Sequence, residues 1–409
     1  MTDTLQPRDG AEVEAAVQAA VAQGKALEIV GHGSKRAVGR AAQWDLTLDL
    51  SRLSGVTLYE PAELVLSARA GTPLAEIEAL VAENGQQLAF EPMDLALLLG
   101  GAAGRGTIGG TLAANLAGPR RIKAGAARDH FLGFTAVSGR GETFKSGGRV
   151  VKNVTGYDLA KLMAGSWGTL AVMTDVTIKV LPRPETEETL LILGLGDAAA
   201  AQAMTLAMGS AAEVSAVAHA PAAVAARLPI GSLAAAGRAV TALRLEGVPP
   251  SIAHRRQLLR ATLKAHGELG SLDEAPSRML WRAVRDVAPF AAAGPGERPL
   301  WRVSTAPTCG PDVAARIARG AHAAVLYDWA GGLLWIELPP SDDAHASLVR
   351  AAVAPAGGHA TLMRAPASVR AAVAVFEPPD QVAAALTKRV KEGFDPKGVL
   401  NPGRMYAGV

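Results

Sequence analysis

Glycine placement constrains this chain more than any other feature. A loop Gly31-His32-Gly33-Ser34-Lys35 follows the apolar run LEIV at 27–30, and a glycine-rich passage extends from Gly100 to Gly118. Glycine supplies 44 of the 409 residues, or about 11% against a usual share of about 7%. Its backbone adopts conformations closed to other residues and lets main chain approach a ligand closely. In the first loop, backbone N–H groups can converge on an anion while Lys35 adds positive charge. A plain turn is the competing reading of that loop taken alone. Two glycine loops far apart in sequence suit a long ligand gripped at two places, a dinucleotide rather than a single phosphate. Thr107, Thr111 and Asn115 can add side-chain hydrogen bonds.

The rest of the composition excludes several classes. With 49% hydrophobic residues the chain can build two or three cores, so a disordered or fibrous protein is ruled out. The single cysteine, Cys309, permits no intramolecular disulfide and no cluster ligated by this chain's cysteines alone, and a reducing compartment fits best. The start, MTDTLQPRDG, has no basic segment followed by an apolar one, so no secretory signal is expected. Apolar stretches such as LALLL at 95–99 break well before the ~20 residues a bilayer crossing needs. Lysine and arginine total 41 against 38 acidic residues, without basic runs or aromatic platforms, which argues against nucleic-acid binding.

The order of elements reads as α+β. Residues 11–23 predict a helix, 27–30, 46–50 and 64–70 strands, and Leu74, Ile77, Leu80 and Val81 the buried stripe of a helix ending at Asn84-Gly85. A hairpin is expected around Ser138-Gly139-Arg140-Gly141, and a helix from Tyr157 to Met163. Pro182 and Pro184 suggest a domain boundary. Beyond it, Ala-rich helices such as 252–265 alternate with strands near 190–195, 240–245, 300–305 and 323–338. The tail reads as an amphipathic helix stopping at Gly393, then a turn-rich peptide.

Gly104, Gly106 and Gly109 match G-x-G-x-x-G, a pattern that in a βαβ unit seats a pyrophosphate at a helix N-terminus. The acidic residue expected about 20 positions later would be Asp129, which follows GAAR instead of ending an apolar strand, so a nicotinamide-binding unit is disfavoured.

A longer set of motifs is more specific. The runs GTIGGTLAANLAGPRR (106–121), ARDHFLGF, VVKNVTGYDLAKLMAGSWGTLAVMTDVTIKVLP (150–182) and the tail FDPKGVLNPGR (394–404) resemble the FAD-binding domain of the vanillyl-alcohol oxidase and p-cresol methylhydroxylase superfamily. The resemblance covers 1–182 and the last thirty or so residues. Within that superfamily, AGPRR at 117–121 and Gly165-Ser166-Trp167-Gly168 are similar to the FAD-binding subunits of bacterial glycolate oxidases, although most catalytic relatives carry Glu where Trp167 stands. The implied fold is a two-subdomain FAD-binding domain over 1–182, an α+β cap domain over 183–375, and a C-terminal helix and flavin-proximal tail over 376–409.

Carried onto this chain, the resemblance implies that Gly31, His32, Gly33, Ser34 and Lys35 wrap the FAD pyrophosphate. Thr107, Ile108, Gly109, Gly110, Thr111 and Asn115 would line the flavin side, and Gly165, Ser166, Gly168, Thr169 and Val172 would approach the adenosine half. Asn401 and Arg404 would close over the isoalloxazine region. Covalent members attach flavin through a histidine late in the first loop; Ser34 stands there, so noncovalent FAD is expected, with His32 two places early.

Related 2-hydroxy-acid dehydrogenases carry an H-x-G-D-G-N-x-H motif around a metal, which this chain lacks; its eight histidines are scattered, and no metal is expected. His359, Arg364 and the Arg120-Arg121 pair are the remaining candidates for a substrate carboxylate, each with an ordinary structural role as the competing reading. No catalytic residue is assigned.

The expected function is that of an FAD-binding subunit of a glycolate (2-hydroxy-acid) oxidase or dehydrogenase complex. A second FAD-containing subunit and an iron–sulfur subunit would be its partners, a small hydroxy acid the substrate, and the cytoplasm its location, with peripheral attachment at the inner membrane face through partners. The absent histidine motif leaves open whether this chain performs the oxidation. The alternatives are a free-standing FAD oxidoreductase of another small hydroxy acid or alcohol, and a non-catalytic scaffold retaining the FAD fold.

Overall fold

Helix Gly10–Gln23 starts where Asp9 Oδ1 accepts a hydrogen bond from Glu12 N at 2.8 Å and stops where Gly24 turns left-handed at φ 64°. Val13, Val17 and Ala20 recur on one face and are buried. They cover the first sheet, whose strands are Asp3–Leu5 (β1), Leu27–Val30 (β2) and Leu46–Asp49 (β3), parallel in the order β1-β3-β2. This computed structural model describes residues 3–148, 156–291 and 298–408. Residues 149–155, which include the start of the 150–182 motif, lie outside the described residues.

The second unit contains Val56–Glu60 (β4), Val65–Arg69 (β5), Gln86–Gln87 (β6), Phe131–Ser138 (β7), Thr143–Gly147 (β8), Ala171–Lys179 (β9) and Leu181–Pro182 (β10). Five of these form an antiparallel sheet in the order β4-β5-β9-β7-β8, while β6 pairs with β10. Residues of β7 and β9 alternate between two cores. Phe134, Met173 and Ile178 join the helices Leu74–Glu83 and Ile108–Ala114 on one side, whereas Val137 and Val172 meet the first sheet on the other. The expected hairpin joins β7 to β8 through Gly141, and the helix expected from Tyr157 begins at Leu159.

The third unit is an eight-stranded antiparallel sheet that starts at Thr186, just past Pro182 and Pro184. Its strands are Thr186–Leu193 (β11), Ala216–Ala220 (β12), Val240–Gly247 (β13), Glu268–Leu272 (β14), Leu300–Ser304 (β15), Ala324–Asp328 (β16), Leu333–Glu337 (β17) and His359–Arg364 (β18), in the order β14-β11-β13-β12-β16-β17-β15-β18. The single strand expected at 323–338 is two, because the chain reverses at Trp329–Gly331, with Trp329 and Ala330 both left-handed. Propensity gives β12 (AVAHA) and β14 (ELGSL) little strand character. Ladder pairing on both sides of β12, and complete burial there, overrides it.

After helix Gln381–Phe394, one residue longer than expected, the tail returns to the first unit. Leu27 N donates to Val399 O at 2.7 Å and Asn401 N donates to Leu27 O at 2.9 Å, which lays the tail alongside β2. Lys391 fixes that turn by donating to Asp395 Oδ2, Thr169 O and Leu400 O. No helix among the described residues is long and apolar enough to cross a membrane.

Candidate FAD site and the adjoining cavity

The two glycine loops meet at the end of β2. A Cβ on Gly31 would lie 2.6 Å from Thr107 Oγ1, so only glycine allows the first loop to rest on the residue that opens helix Ile108–Ala114. On that helix, Gly109 N donates to Ala70 O at 2.9 Å, and a Cβ there would come within 2.8 Å of the same carbonyl oxygen. Between the loops lies a half-open cleft. Gly31, His32, Gly33, Ser34, Lys35, Thr107, Gly109, Gly110, Gly168 and Arg404 all line it.

The remaining expected residues lie beside the cleft or behind it. Ile108 is buried in the core under the five-stranded sheet, and Val172 in the core on that sheet's opposite face. Thr111 is buried, and its hydroxyl has no partner among the described residues. Ser166 Oγ donates to Met163 O and Thr169 Oγ1 donates to Ser166 O, so both hydroxyls hold a local turn. Asn401 joins the tail to two elements: its Oδ1 accepts from Ile29 N and its Nδ2 donates to Trp167 O, each at 2.9 Å. Asn115 and Gly165 line a second cavity described below.

The cleft is cationic, and its two cations are buried in its wall. Burial, reinforced by the Arg404 charge and only partly opposed by Asp94, lowers Lys35 to about 8. Burial also lowers Arg404 to about 10, although Glu28 pulls the other way. Arg404 Nη2 donates to Lys35 O at 2.9 Å, but its buried Nε has no partner, and neither cation has a carboxylate within salt-bridge distance among the described residues. Burial and Arg105 keep the His32 imidazole below its ordinary pKa. Two buried cations without a counter-charge are costly unless an anionic ligand supplies it. Glycine-lined backbone, an orphaned guanidinium nitrogen and a buried ammonium fit the pyrophosphate of FAD.

A second cavity, of about 430 Å³, opens between the second unit and the eight-stranded sheet. Trp167 lines both spaces. Its backbone is left-handed at φ 54°, held by Trp167 N donating to Ala113 O, and its indole packs edge-on against Phe376 at 5.6 Å between centroids. Arg121 comes from the loop after the flavin-side glycines. Arg302 and Ser304 come from β15, and His359 and Thr361 from β18, because alternate residues of paired strands share a face. Both guanidiniums lie over the Trp329 indole, at 4.2 Å for Arg121 and 5.2 Å for Arg302.

Two of the candidate arginines are engaged elsewhere. Arg120 forms a bidentate pair with Glu246 and a salt bridge to Glu91, while Arg244 bonds the same two carboxylates, so the network ties the second unit to the sheet. Burial opposes ionisation of Glu246, but Arg244 and Arg120 outweigh it and hold the carboxyl at about 2. Arg364 donates to Glu337, Leu98 O, Phe290 O and Arg298 O, which leaves it no free donor face for a substrate. Arg302 and Trp329 carry no motif in the sequence. The one available signal was a polar Arg302–Ser304 alternation within an otherwise apolar strand. Among the described residues, no group of three or more His, Cys, Asp or Glu is placed to hold a metal.

The cleft fits FAD, and similarity to known proteins makes the chain an FAD-dependent oxidoreductase. A family described as FAD binding domain matches residues 4–147. The p-cresol methylhydroxylase structure with substrate bound superposes with a TM-score of 0.73 at 13% identity, covering 98% of this chain and 88% of that one. Glycolate oxidase subunit GlcE of Escherichia coli (strain K12) is 34% identical over 392 residues, 96% of this chain and 95% of that protein, and the chain belongs to its family. Glycolate oxidase subunit GlcD of Bacillus subtilis (strain 168) is 42% identical over 99 residues, only 24% of this chain and 21% of that protein.

Proposed function

We propose that this chain is the FAD-binding subunit of a complex that oxidises a small 2-hydroxy acid, with glycolate as substrate and glyoxylate as product. The observation that carries the reading is the glycine-lined cleft with Lys35 and Arg404 buried in it without carboxylate partners among the described residues. Lys35 neutralises the pyrophosphate together with Arg404, expected over the isoalloxazine but bonded to Lys35 O on the first glycine loop. The backbones of Gly31 and Gly33 allow the pyrophosphate to approach, and Trp167 with Asn401 fixes the wall against the cap sheet. Bound FAD supplies a two-electron acceptor that can release electrons singly. FAD is held noncovalently, since His32 lines the cleft while Ser34 occupies the position where covalent relatives carry histidine.

Similarity to glycolate oxidase subunits supports a multi-subunit assembly. A second flavoprotein and an iron–sulfur subunit complete it, because the lone Cys309 of this chain cannot ligate a cluster and the electrons must leave through another chain. The complex works in the cytoplasm and reaches the inner membrane face through those partners. The test is an absorption spectrum of the chain, alone and in its complex, before and after adding glycolate. The flavin band of the complex is expected to bleach. A colourless chain that takes up no FAD, or a loaded complex unchanged by glycolate, contradicts the proposal.

A further inference from the structure

Arg302, on β15, carries a guanidinium with a buried and unpartnered nitrogen among the described residues. Its Nε is sealed from solvent, and its guanidinium makes no hydrogen bond or salt bridge among the described residues. Burial and the neighbouring charge of Arg121 lower it to about 10. The exposed Arg121 guanidinium likewise has no hydrogen-bonding partner among the described residues, and neither does the His359 imidazole, which partial desolvation and Arg302 keep below its ordinary pKa. Three polar groups from three segments therefore converge on one cavity; the two guanidiniums repel one another, with Arg121 and His359 reaching solvent and Arg302 partly buried.

The nearby carboxylates offset this only in part, and each is engaged elsewhere. Glu377 is held by Arg350 Nη1 at 2.6 Å and by Ala360 N at 2.9 Å. Asp328 accepts from Trp329 N, and burial pushes its carboxyl up to about 8, so it is largely neutral at physiological pH. Asp129 is occupied by Ala126 N. The Trp329 indole, fixed by donating to Gly118 O at 3.0 Å, supports both guanidiniums through its π-face but offers their N–H groups no acceptor.

We propose that Arg121, Arg302 and His359 form a metal-free site for a small carboxylate in the cavity that shares the Trp167 wall with the FAD cleft. The two guanidiniums supply planar donor forks that match a carboxylate, and the imidazole supplies a further donor or acceptor for an adjacent hydroxyl or carbonyl oxygen. This rests on the reading of the chain as an FAD-binding subunit of a hydroxy-acid-oxidising complex. It adds that a carboxylate binds in this chain itself, through arginine rather than through a metal.

The experiment is calorimetric titration of the FAD-loaded chain with oxalate, repeated for Arg302→Gln, Arg121→Gln and Arg302→Lys, with Arg183→Gln as a control far from the cavity. The FAD content of each variant is measured from its absorption. Oxalate is expected to bind the parent chain and the Arg183→Gln control alike, and to bind each Arg→Gln variant roughly tenfold to a hundredfold more weakly, the loss of one or two charge-assisted bonds. Arg302→Lys keeps the charge but loses the fork, so it folds and still binds weakly. Unchanged oxalate affinity in the Gln variants overturns the proposal. So does loss of FAD in step with loss of oxalate, which would make the guanidiniums cofactor ligands. Competition by inorganic phosphate as strong as by glycolate overturns the assignment to carboxylate. A chain that binds oxalate but no FAD contradicts the proposed function while leaving this site standing.

Discussion

Arg404 donates from Nη2 to the carbonyl oxygen of Lys35 across 369 residues of sequence, a bond of 2.9 Å that closes the C-terminal tail over the first glycine loop. Two buried cations are thereby brought to one cleft, and their mutual repulsion is offset once an anion lies between them. The tail therefore closes over a cleft lined mainly by the first 182 residues.

Replacing Lys35 should separate folding from binding. Lys35→Met removes a buried charge without a salt-bridge partner among the described residues, so the FAD-free chain is expected to melt at a higher temperature than the parent while binding FAD roughly tenfold or more weakly. Thermal melts with and without added FAD check both halves. A variant that melts lower without FAD and still binds it fully would contradict this role.

The same lysine gives FAD affinity a pH dependence. In the free chain Lys35 loses its proton near 8, whereas the pyrophosphate favours the charged form, so binding draws in a proton above that value. Affinity should hold below about pH 8 and weaken as pH rises through it. For the FAD-free fold the sign reverses: the folded pKa lies below the unfolded value, so the cost of charging Lys35 fades and stability rises as pH climbs from about 8. FAD titrations followed by fluorescence quenching measure the first effect, and Lys35→Arg should flatten it.

Contact between the two glycine loops can be tested sterically. Gly31→Ala places a methyl 2.6 Å from Thr107 Oγ1, an overlap expected to cost about 1–3 kcal/mol and to reduce FAD uptake. Thr107→Ala in the same chain removes the opposing atoms and should restore part of the stability, so a double-mutant cycle in urea reads out the contact directly.

The network of Glu91, Arg120, Arg244 and Glu246 links the second unit to the cap sheet. Glu91→Gln leaves buried guanidiniums short of a counter-charge and is expected to destabilise the chain by roughly 3–5 kcal/mol. Glu246 is held at about 2, below its unfolded value, so its contribution is complete above that unfolded value and is lost as pH falls through the folded one. Acid unfolding curves of parent and Glu246→Gln should therefore converge at low pH.

Elements whose instructions are local were readable in the chain. Asp9 and Gly24 bound the first helix, Ser138 to Gly141 turn the hairpin, and the glycines at 31, 33, 109 and 110 line one cleft. What escaped reading depends on contacts distant in sequence. Arg364 looks as available as Arg302 in the sequence, yet Glu337 and three carbonyls claim it only after the cap sheet has formed. Arg302 becomes a ligand candidate only because β15 and β18 pair with Arg302 opposite Thr361 and Ser304 opposite His359. Asn401 joins the tail to Ile29 and Trp167, bonds that form only when the tail docks and that no local pattern announces.

The most direct test of the central claim is to purify the chain, precipitate it with acid, and identify and count the flavin in the supernatant and the pellet. The account predicts one FAD per chain, all of it in the supernatant. Flavin retained in the pellet would contradict noncovalent binding, and a chain that is colourless and stays so when titrated with FAD would contradict the site itself.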